Sequence, residues 1–139
     1  MTPAIRSAFD GEMNAARSAF GAMRYGDAVP HLERAHVLGQ RYFLAHLITH
    51  WWMLRVGCVR RDSREVVGQL TRILAVFPGY LFGWVPAGNT GGANVSAVRP
   101  MPLPADLAQP LHSYARGRGV ASRVVVWTLL FGLAWLVLH

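Results

Sequence analysis

Four of the six histidines in this 139-residue chain lie between residues 31 and 50, and they offer the clearest chemistry in the sequence. Glu33 and His36 are three positions apart and His46 and His50 are four apart, so each pair shares a face of a helix. If the two helices form an antiparallel hairpin, a rise of ~1.5 Å per residue brings these side chains to similar heights. Imidazoles and a carboxylate on facing helices can bind zinc or another first-row transition metal. The candidate ligands are His31, Glu33, His36, His46 and His50.

The same spacing is compatible with a purely structural role. Glu33 and His36 can form a local pair, and His46 and His50 can be hydrogen-bonded residues beside the tryptophans. The stretch from His46 to His50 lacks the glutamate of the H-E-x-x-H signature, which excludes a metalloprotease of that type. The sequence therefore leaves a metal site and a hydrogen-bonded cluster as the two interpretations.

A glycine-rich segment is the second dense signal. Its backbone N–H groups could bind a phosphate, but no Gly-Lys-Ser/Thr sequence and no βαβ pattern accompanies it. The sequence favours a turn of defined shape that docks against the helices. The candidate functional residues of this segment are Gly88, Asn89, Thr90, Gly91, Gly92 and Asn94.

The elements that must position these residues are helices. Apolar residues recur at spacings of three and four between turn residues, which predicts an all-α fold. Asp27 is a candidate N-cap with Pro30 in the turn that follows, and Asp62 with Glu65 resembles a capping box. Pro78-Gly79 is predicted to end the fourth helix. The predicted helices span about 4–25, 27–38, 41–59 and 62–77.

Two helix turns, Gly26-Asp27 and Arg61-Asp62, are 35 residues apart and indicate a repeat. A helix pair of about 34 residues with small apolar residues after the turn resembles a tetratricopeptide unit. The resemblance implies tetratricopeptide-like helical hairpins. The matched positions are Leu32 and Val67, Ala35 and Leu70, and Leu38 and Ile73.

The C-terminal third of the chain has a different character. Six prolines and five glycines between residues 78 and 110 predict an irregular loop that wraps the helical body, with a short helix from Asp106 to Tyr114. We therefore expect residues 1–112 to form the helical domain and residues 113–123 to form a basic linker.

Residues 124–138 are predicted to form an apolar C-terminal helix and are a candidate transmembrane tail. As a helix, these 15 residues would be about 22 Å long, against a hydrocarbon core of ~30 Å, and residues 119–123 could extend the span. Trp127 and Trp135 lie near its ends, and the arginines before it predict a cytoplasmic N-terminal side. The alternative is a buried helix that packs on the helical body.

Composition excludes several classes of function. All 14 basic residues are arginines, which excludes lysine chemistry, and they are scattered without a nucleic-acid-binding motif, so no nucleic acid is expected as a partner. The single cysteine, Cys58, excludes an intramolecular disulfide, and its helical spacing from Leu54 predicts a core position. The N-terminus lacks the apolar region of a secretory signal, so we expect the body to stay in the cytoplasm.

Several blocks of the sequence resemble a bacterial family known only as a domain of unknown function. The resemblance runs from about residue 10 to residue 112, and the apolar tail lies outside it. It implies a bacterial origin and a single domain, and it brings no activity. The five candidate metal ligands all lie within its blocks. The blocks are His31–Gln40, His46–Leu54, Arg61–Gln69, Val85–Ser96 and Met101–Leu107.

These observations predict a membrane-anchored helical binding or scaffold protein without enzyme activity. Its domain would face the cytoplasm at the cytoplasmic membrane, and its partners would be the membrane and a protein. The alternative is a metal-binding protein or metalloenzyme that uses the histidine and glutamate cluster between two facing helices.

Overall fold

The described part of the chain is all α-helical, as predicted. The computed structural model describes residues 1–83 and 85–112, together with Thr128 and Trp135. Within these residues five helices and no strands are present. The helices are α1 (Pro3–Gly21), α2 (Tyr25–Gly39), α3 (Phe43–Val59), α4 (Ser63–Phe82) and α5 (Ala105–His112).

The first three helices and α5 supply the hydrophobic core. Consecutive helices pack against each other as hairpins: α1 packs on α2, α2 on α3 and α3 on α4. Each helix turns fully buried side chains inward, such as Met13 of α1 and Leu32 of α2, and Leu107 brings α5 against them. The core cluster consists of Phe9, Met13, Ala16, Ala19, Ala28, Leu32, Ala35, Val37, Leu38, Met53, Val56 and Leu107.

Helix α4 contributes no residue to this core cluster, because its apolar stripe faces outward. Val67, Leu70, Leu74 and Phe77 are 60%, 48%, 78% and 66% exposed. The opposite face, which packs inward, carries the fully buried Gln69. With about 100° between successive residues, these four apolar residues lie about 80° to 160° around the helix from Gln69. Burying Gln69 thus turns the apolar stripe of α4 away from the body.

The matched positions of the predicted 35-residue repeat differ in their burial between α2 and α4. Leu32, Ala35 and Leu38 of α2 are buried, whereas two of their matched positions in α4, Val67 and Leu70, are exposed. The hairpins are therefore present, but α2 and α4 do not use equivalent faces. The physical reason is that α4 packs through polar side chains, which an apolar repeat does not encode.

Several helix boundaries differ from those predicted. Helix α1 ends at Gly21 rather than at about residue 25. Helix α2 begins at Tyr25, so Asp27 lies in its first turn rather than at the N-cap, and Pro30 lies within the helix. Helix α4 continues through Pro78 and ends at Phe82. Gly83, with a φ of 70°, is its left-handed C-cap. The irregular segment therefore begins at Gly83 rather than at residue 78, and α5 starts within one residue of its predicted position.

Cys58 is exposed, so its prediction as a core residue was wrong. It lies in the last turn of α3, where Met53 and Val56 face the core instead. The predicted basic linker and apolar tail, residues 113–138, lie outside the described residues except for Thr128 and Trp135. Among the residues that are described, no helix is both long and apolar enough to cross a membrane.

The two aspartates near helix starts should differ in their effect on stability. The Asp62 side chain accepts a hydrogen bond from the backbone N–H of Glu65 at 3.0 Å, as an N-cap does. Asp27 forms only an exposed ion pair with Arg24. We expect Asp62→Ala to lower the free energy of unfolding by about 1 kcal/mol, and Asp27→Ala to lower it by less than half as much. Urea denaturation measures both, and equal losses would contradict the observed helix start at Tyr25.

Candidate metal centre

Three of the predicted ligands meet between α2 and α3. His36 lies on α2 and His46 and His50 lie on α3, and all three side chains are buried. Each offers one ring nitrogen such that these atoms all lie within 4.8 Å of one another. The ring centroids are 4.6 to 4.8 Å apart. We refer to His36, His46 and His50 as the histidine triad.

His36 is oriented by the glycine-rich segment. Its Nδ1 lies 2.8 Å from the carbonyl oxygen of Asn89, and because a carbonyl only accepts, Nδ1 carries the proton. The Asn89 side chain is itself fixed, since its Nδ2 donates to the carbonyls of Ser96 and Arg99 and its Oδ1 accepts from the Gly91 N–H. The Nε2 lone pair of His36 is therefore left facing the triad.

His50 is oriented by Gln69 of α4. The Gln69 Nε2 donates to a carboxylate oxygen of Glu65 at 2.7 Å and to the Gly91 carbonyl at 2.9 Å, so this end of the amide is the nitrogen. Its Oε1 then accepts from His50 Nδ1 at 2.6 Å. As with His36, this hydrogen bond places the proton on Nδ1 and leaves the lone pair on Nε2.

His46 faces His50 directly. Their Nε2 atoms are 3.0 Å apart, a distance at which the Nε2–H of His46 donates to the lone pair of His50. Within the described structure two buried ring nitrogens of the triad, His36 Nε2 and His46 Nδ1, have no hydrogen-bond partner. Buried polar atoms are normally paired, so the lone pair of His36 Nε2, which faces the triad, is available to an additional ligand.

The triad is electrically neutral at pH 7. Burial lowers the pKa of His46 to about 4. Burial, and then the neighbouring His46, lower the pKa of His50 to about 3, and burial also holds the pKa of His36 well below its usual value. Neutral imidazole is the form that binds a metal, so the site needs no deprotonation to act as a ligand set.

The other two predicted ligands lie elsewhere. Relative to His36, His31 is rotated by about 140° around α2, and its Nδ1 bonds to Glu12 of α1 at 2.8 Å. Glu33 is rotated by about 60° from His36 and lies half-buried beside Gly92. Its pKa is raised by burial and then by the charge of Glu65. The structure therefore brings together three of the five candidates.

The glycine-rich segment docks against α2 and α4, as predicted for a turn of defined shape. Gly91 has a φ of 80°, and a Cβ there would lie 2.7 Å from the His36 ring, so glycine is required both for conformation and for space. Arg72 donates to the carbonyls of Gly92 and Val95, and Glu65 accepts from the Ala93 N–H. Thr90 is half-buried and Asn94 is exposed, while Gly88 has a φ of 73°.

Three polar residues of α4 that hold this site were not predicted. Glu65, Gln69 and Arg72 recur at spacings of four and three, which places them within about 60° of one another around the helix. Each bonds to the glycine-rich segment. The polar stripe was the available signal, but the apolar stripe on the other side of α4 has the same period and was taken as the core face.

The triad suits a divalent first-row metal. Zinc–nitrogen distances of about 2.0–2.1 Å in a tetrahedron place two ligand nitrogens about 3.3 Å apart, compared with 3.0 Å between the Nε2 atoms of His46 and His50 and up to 4.8 Å across the triad. In protein metal sites a ligating histidine commonly donates its other N–H to a carbonyl or carboxylate, as His36 and His50 do to Asn89 and Gln69. Nitrogen-only ligands favour zinc, copper, iron or nickel over magnesium and calcium.

The neutral triad predicts loss of stability in mild acid. Below pH ~6.5 the unfolded histidines take up protons, whereas the folded His46 and His50 do not until pH about 4 and about 3. Protons therefore favour unfolding. Each of the two residues should lower the free energy of unfolding by about 1.4 kcal/mol per pH unit as the pH falls from 6 to 5.

Urea denaturation of the metal-free protein in the presence of a chelator measures this effect. The free energy of unfolding should fall with this slope from pH 6 to pH 5, and His46→Gln should reduce the slope by about one residue's share. A stability that does not change over this range would contradict a buried neutral triad.

The chain was compared with known proteins. The sequence pattern of the family described as Protein of unknown function (DUF3703) matches residues 3–111, and this range contains the triad, Gln69 and the glycine-rich segment. No curated protein and no solved structure matches the chain. The match to most of the chain shows that this protein belongs to the DUF3703 family.

Proposed function

We propose that this protein binds a divalent first-row transition metal ion, zinc above all, through His36, His46 and His50. The observation that carries the proposal is the convergence of three buried imidazole nitrogens within 4.8 Å. Three nitrogen ligands bind zinc well and leave one position of its tetrahedron open. The residues that orient the ligands, Asn89 and Gln69, act through their hydrogen bonds to Nδ1.

The alternative, a hydrogen-bonded cluster without metal, leaves buried atoms unsatisfied. His36 Nε2 has no partner among the described residues, and an unpaired buried polar atom costs about 1–3 kcal/mol. A metal ion bound at Nε2 gives His36 that partner. Burial lowers the pKa of His46 to about 4 and that of His50 to about 3, so protons compete with a metal for these nitrogens only in acid.

Metal analysis of the full chain tests this proposal. After incubation with zinc and removal of the excess, we expect about one ion per chain, and a rise in the unfolding temperature in proportion to binding. The double substitution His46→Gln and His50→Gln removes two of three ligands, so the metal should be lost at the same zinc concentration. His31→Gln is the matched control, because His31 lies outside the triad, and it should retain the ion.

Two results would contradict the proposal. One is a wild-type protein that holds no zinc, copper, iron or nickel after loading and whose unfolding temperature does not respond to any of them. The other is full metal retention by the double variant, since the ion would then be bound elsewhere.

A second candidate function, a binding or scaffold protein at the membrane, is supported by the apolar stripe of α4. Leu74 and Phe77 are 78% and 66% exposed, and on the neighbouring helix Leu44 and Trp51 are also exposed. Exposed apolar patches of this kind mark surfaces that another apolar surface covers. We propose that the apolar residues 124–138 anchor the protein in the cytoplasmic membrane and that this stripe faces a protein partner.

Cell fractionation tests the anchor. We expect the full chain in the membrane fraction, resistant to a high-salt wash and released by detergent, because about 15 apolar residues favour the hydrocarbon core. A chain shortened after residue 118 should move to the supernatant. If instead the full chain is found in the supernatant as a monomer, the tail packs on the helical body and the anchor is excluded.

A further inference from the structure

A cavity of about 180 Å³ opens beside the histidine triad. The three imidazoles form part of its wall, so an open position on a metal ion held by the triad can face this space. The rest of the wall comes from α4 and from the irregular segment that follows it. These residues include Arg72, Ala75, Val76, Val85, Pro86 and Val98.

Most of this wall is apolar, and its one cationic side chain is Arg72. The Arg72 guanidinium donates to the backbone carbonyls of Gly68, Gly92 and Val95. Within the described residues no carboxylate lies within 4.0 Å of it, and the nearby Glu65 carboxylate is held by Gln69 and by the Ala93 N–H. The charge of Arg72 therefore acts on the cavity without an ion-pair partner in contact.

The electrostatic balance of the site favours an anion. Arg72 lines the same cavity as the three imidazoles, so its positive charge lies beside the triad. A divalent ion held by three neutral imidazoles adds two further positive charges. A site of this charge beside an apolar wall matches a molecule with one negatively charged oxygen donor and a short hydrocarbon chain.

We propose that the metal-loaded triad binds a short-chain aliphatic monocarboxylate in this cavity. One carboxylate oxygen occupies the open position on the metal ion, Arg72 supplies the opposing charge, and the hydrocarbon chain packs against Val76, Val85 and Val98. The carboxylate oxygen forms a coordination bond to the ion, and no covalent bond of the carboxylate is broken. The inference rests on the proposed metal function, because the carboxylate requires the ion.

Cobalt(II) provides a spectroscopic test on the full chain. Cobalt replaces zinc in such sites, and its visible absorption bands change when a fourth ligand exchanges. Titration with butyrate should change the bands, and butyrate should bind about 10-fold more tightly than acetate, because it buries two more methylene groups. Potassium chloride at the same ionic strength is the control and should leave the spectrum unchanged.

Two substitutions separate the charge from the apolar wall. Arg72→Gln should weaken both carboxylates at least 5-fold while cobalt still binds, and Arg64→Gln, an exposed arginine on the same helix, is the matched control. Val85→Ser should lower the preference for butyrate over acetate and leave acetate binding nearly unchanged. The second variant keeps the test valid if Arg72→Gln fails to fold.

The outcomes distinguish this inference from the function on which it rests. Cobalt that never binds overturns the proposed metal function. Cobalt that binds but does not respond to either carboxylate overturns the carboxylate inference alone. Equal affinities for acetate and butyrate also overturn it, because the apolar wall would then have no part in binding, and so does a response to chloride as strong as that to butyrate.

Discussion

Burying three imidazole rings in the centre of a small helical domain is the constraint on which this structure depends. Each ring brings two polar nitrogens out of water, and their desolvation must be offset by hydrogen bonds or a ligand. Asn89 and Gln69 satisfy the Nδ1 atoms of His36 and His50. These two partners in turn require the glycine-rich segment and α4 to dock at the site. The position of both elements is therefore tied to the triad, in addition to apolar contacts such as that of the buried Val76 of α4.

This constraint explains why α4 packs with its polar face inward. A helix with a strong apolar stripe normally buries that stripe, since burial gains about 25 cal/mol per Å². Here the buried face carries Glu65, Gln69 and Arg72, and each of them bonds to the backbone of the glycine-rich segment. Unpairing these groups in the interior would cost more than exposing Leu74 and Phe77, because buried polar groups without partners are expensive.

The sequence predicted the elements and the ligands better than it predicted their supports. The helices follow from local signals, namely the period of the apolar residues and the N-cap residue Asp62. The shared face of His46 and His50 follows from their four-residue spacing, which is also local. The Asn89 carbonyl that orients His36 lies 53 positions away in the sequence, so no local pattern reveals it. The inward face of α4 was missed for a related reason, since polar and apolar stripes share one period and only tertiary partners decide between them.

The division of α4 into two faces also separates its two candidate roles. Gln69 and Arg72 face the triad and the cavity, whereas Leu74 and Phe77 lie on a different face of the helix, rotated by about 140° and about 80° from Gln69. A partner or an apolar helix that covers the outer stripe would therefore leave the cavity open. Coupling between the two sites would have to pass through the helix itself, because Gln69 fixes its rotation on α3 through a hydrogen bond to His50. A shift of α4 under a partner would change that hydrogen bond first, and with it the orientation of His50, a candidate metal ligand.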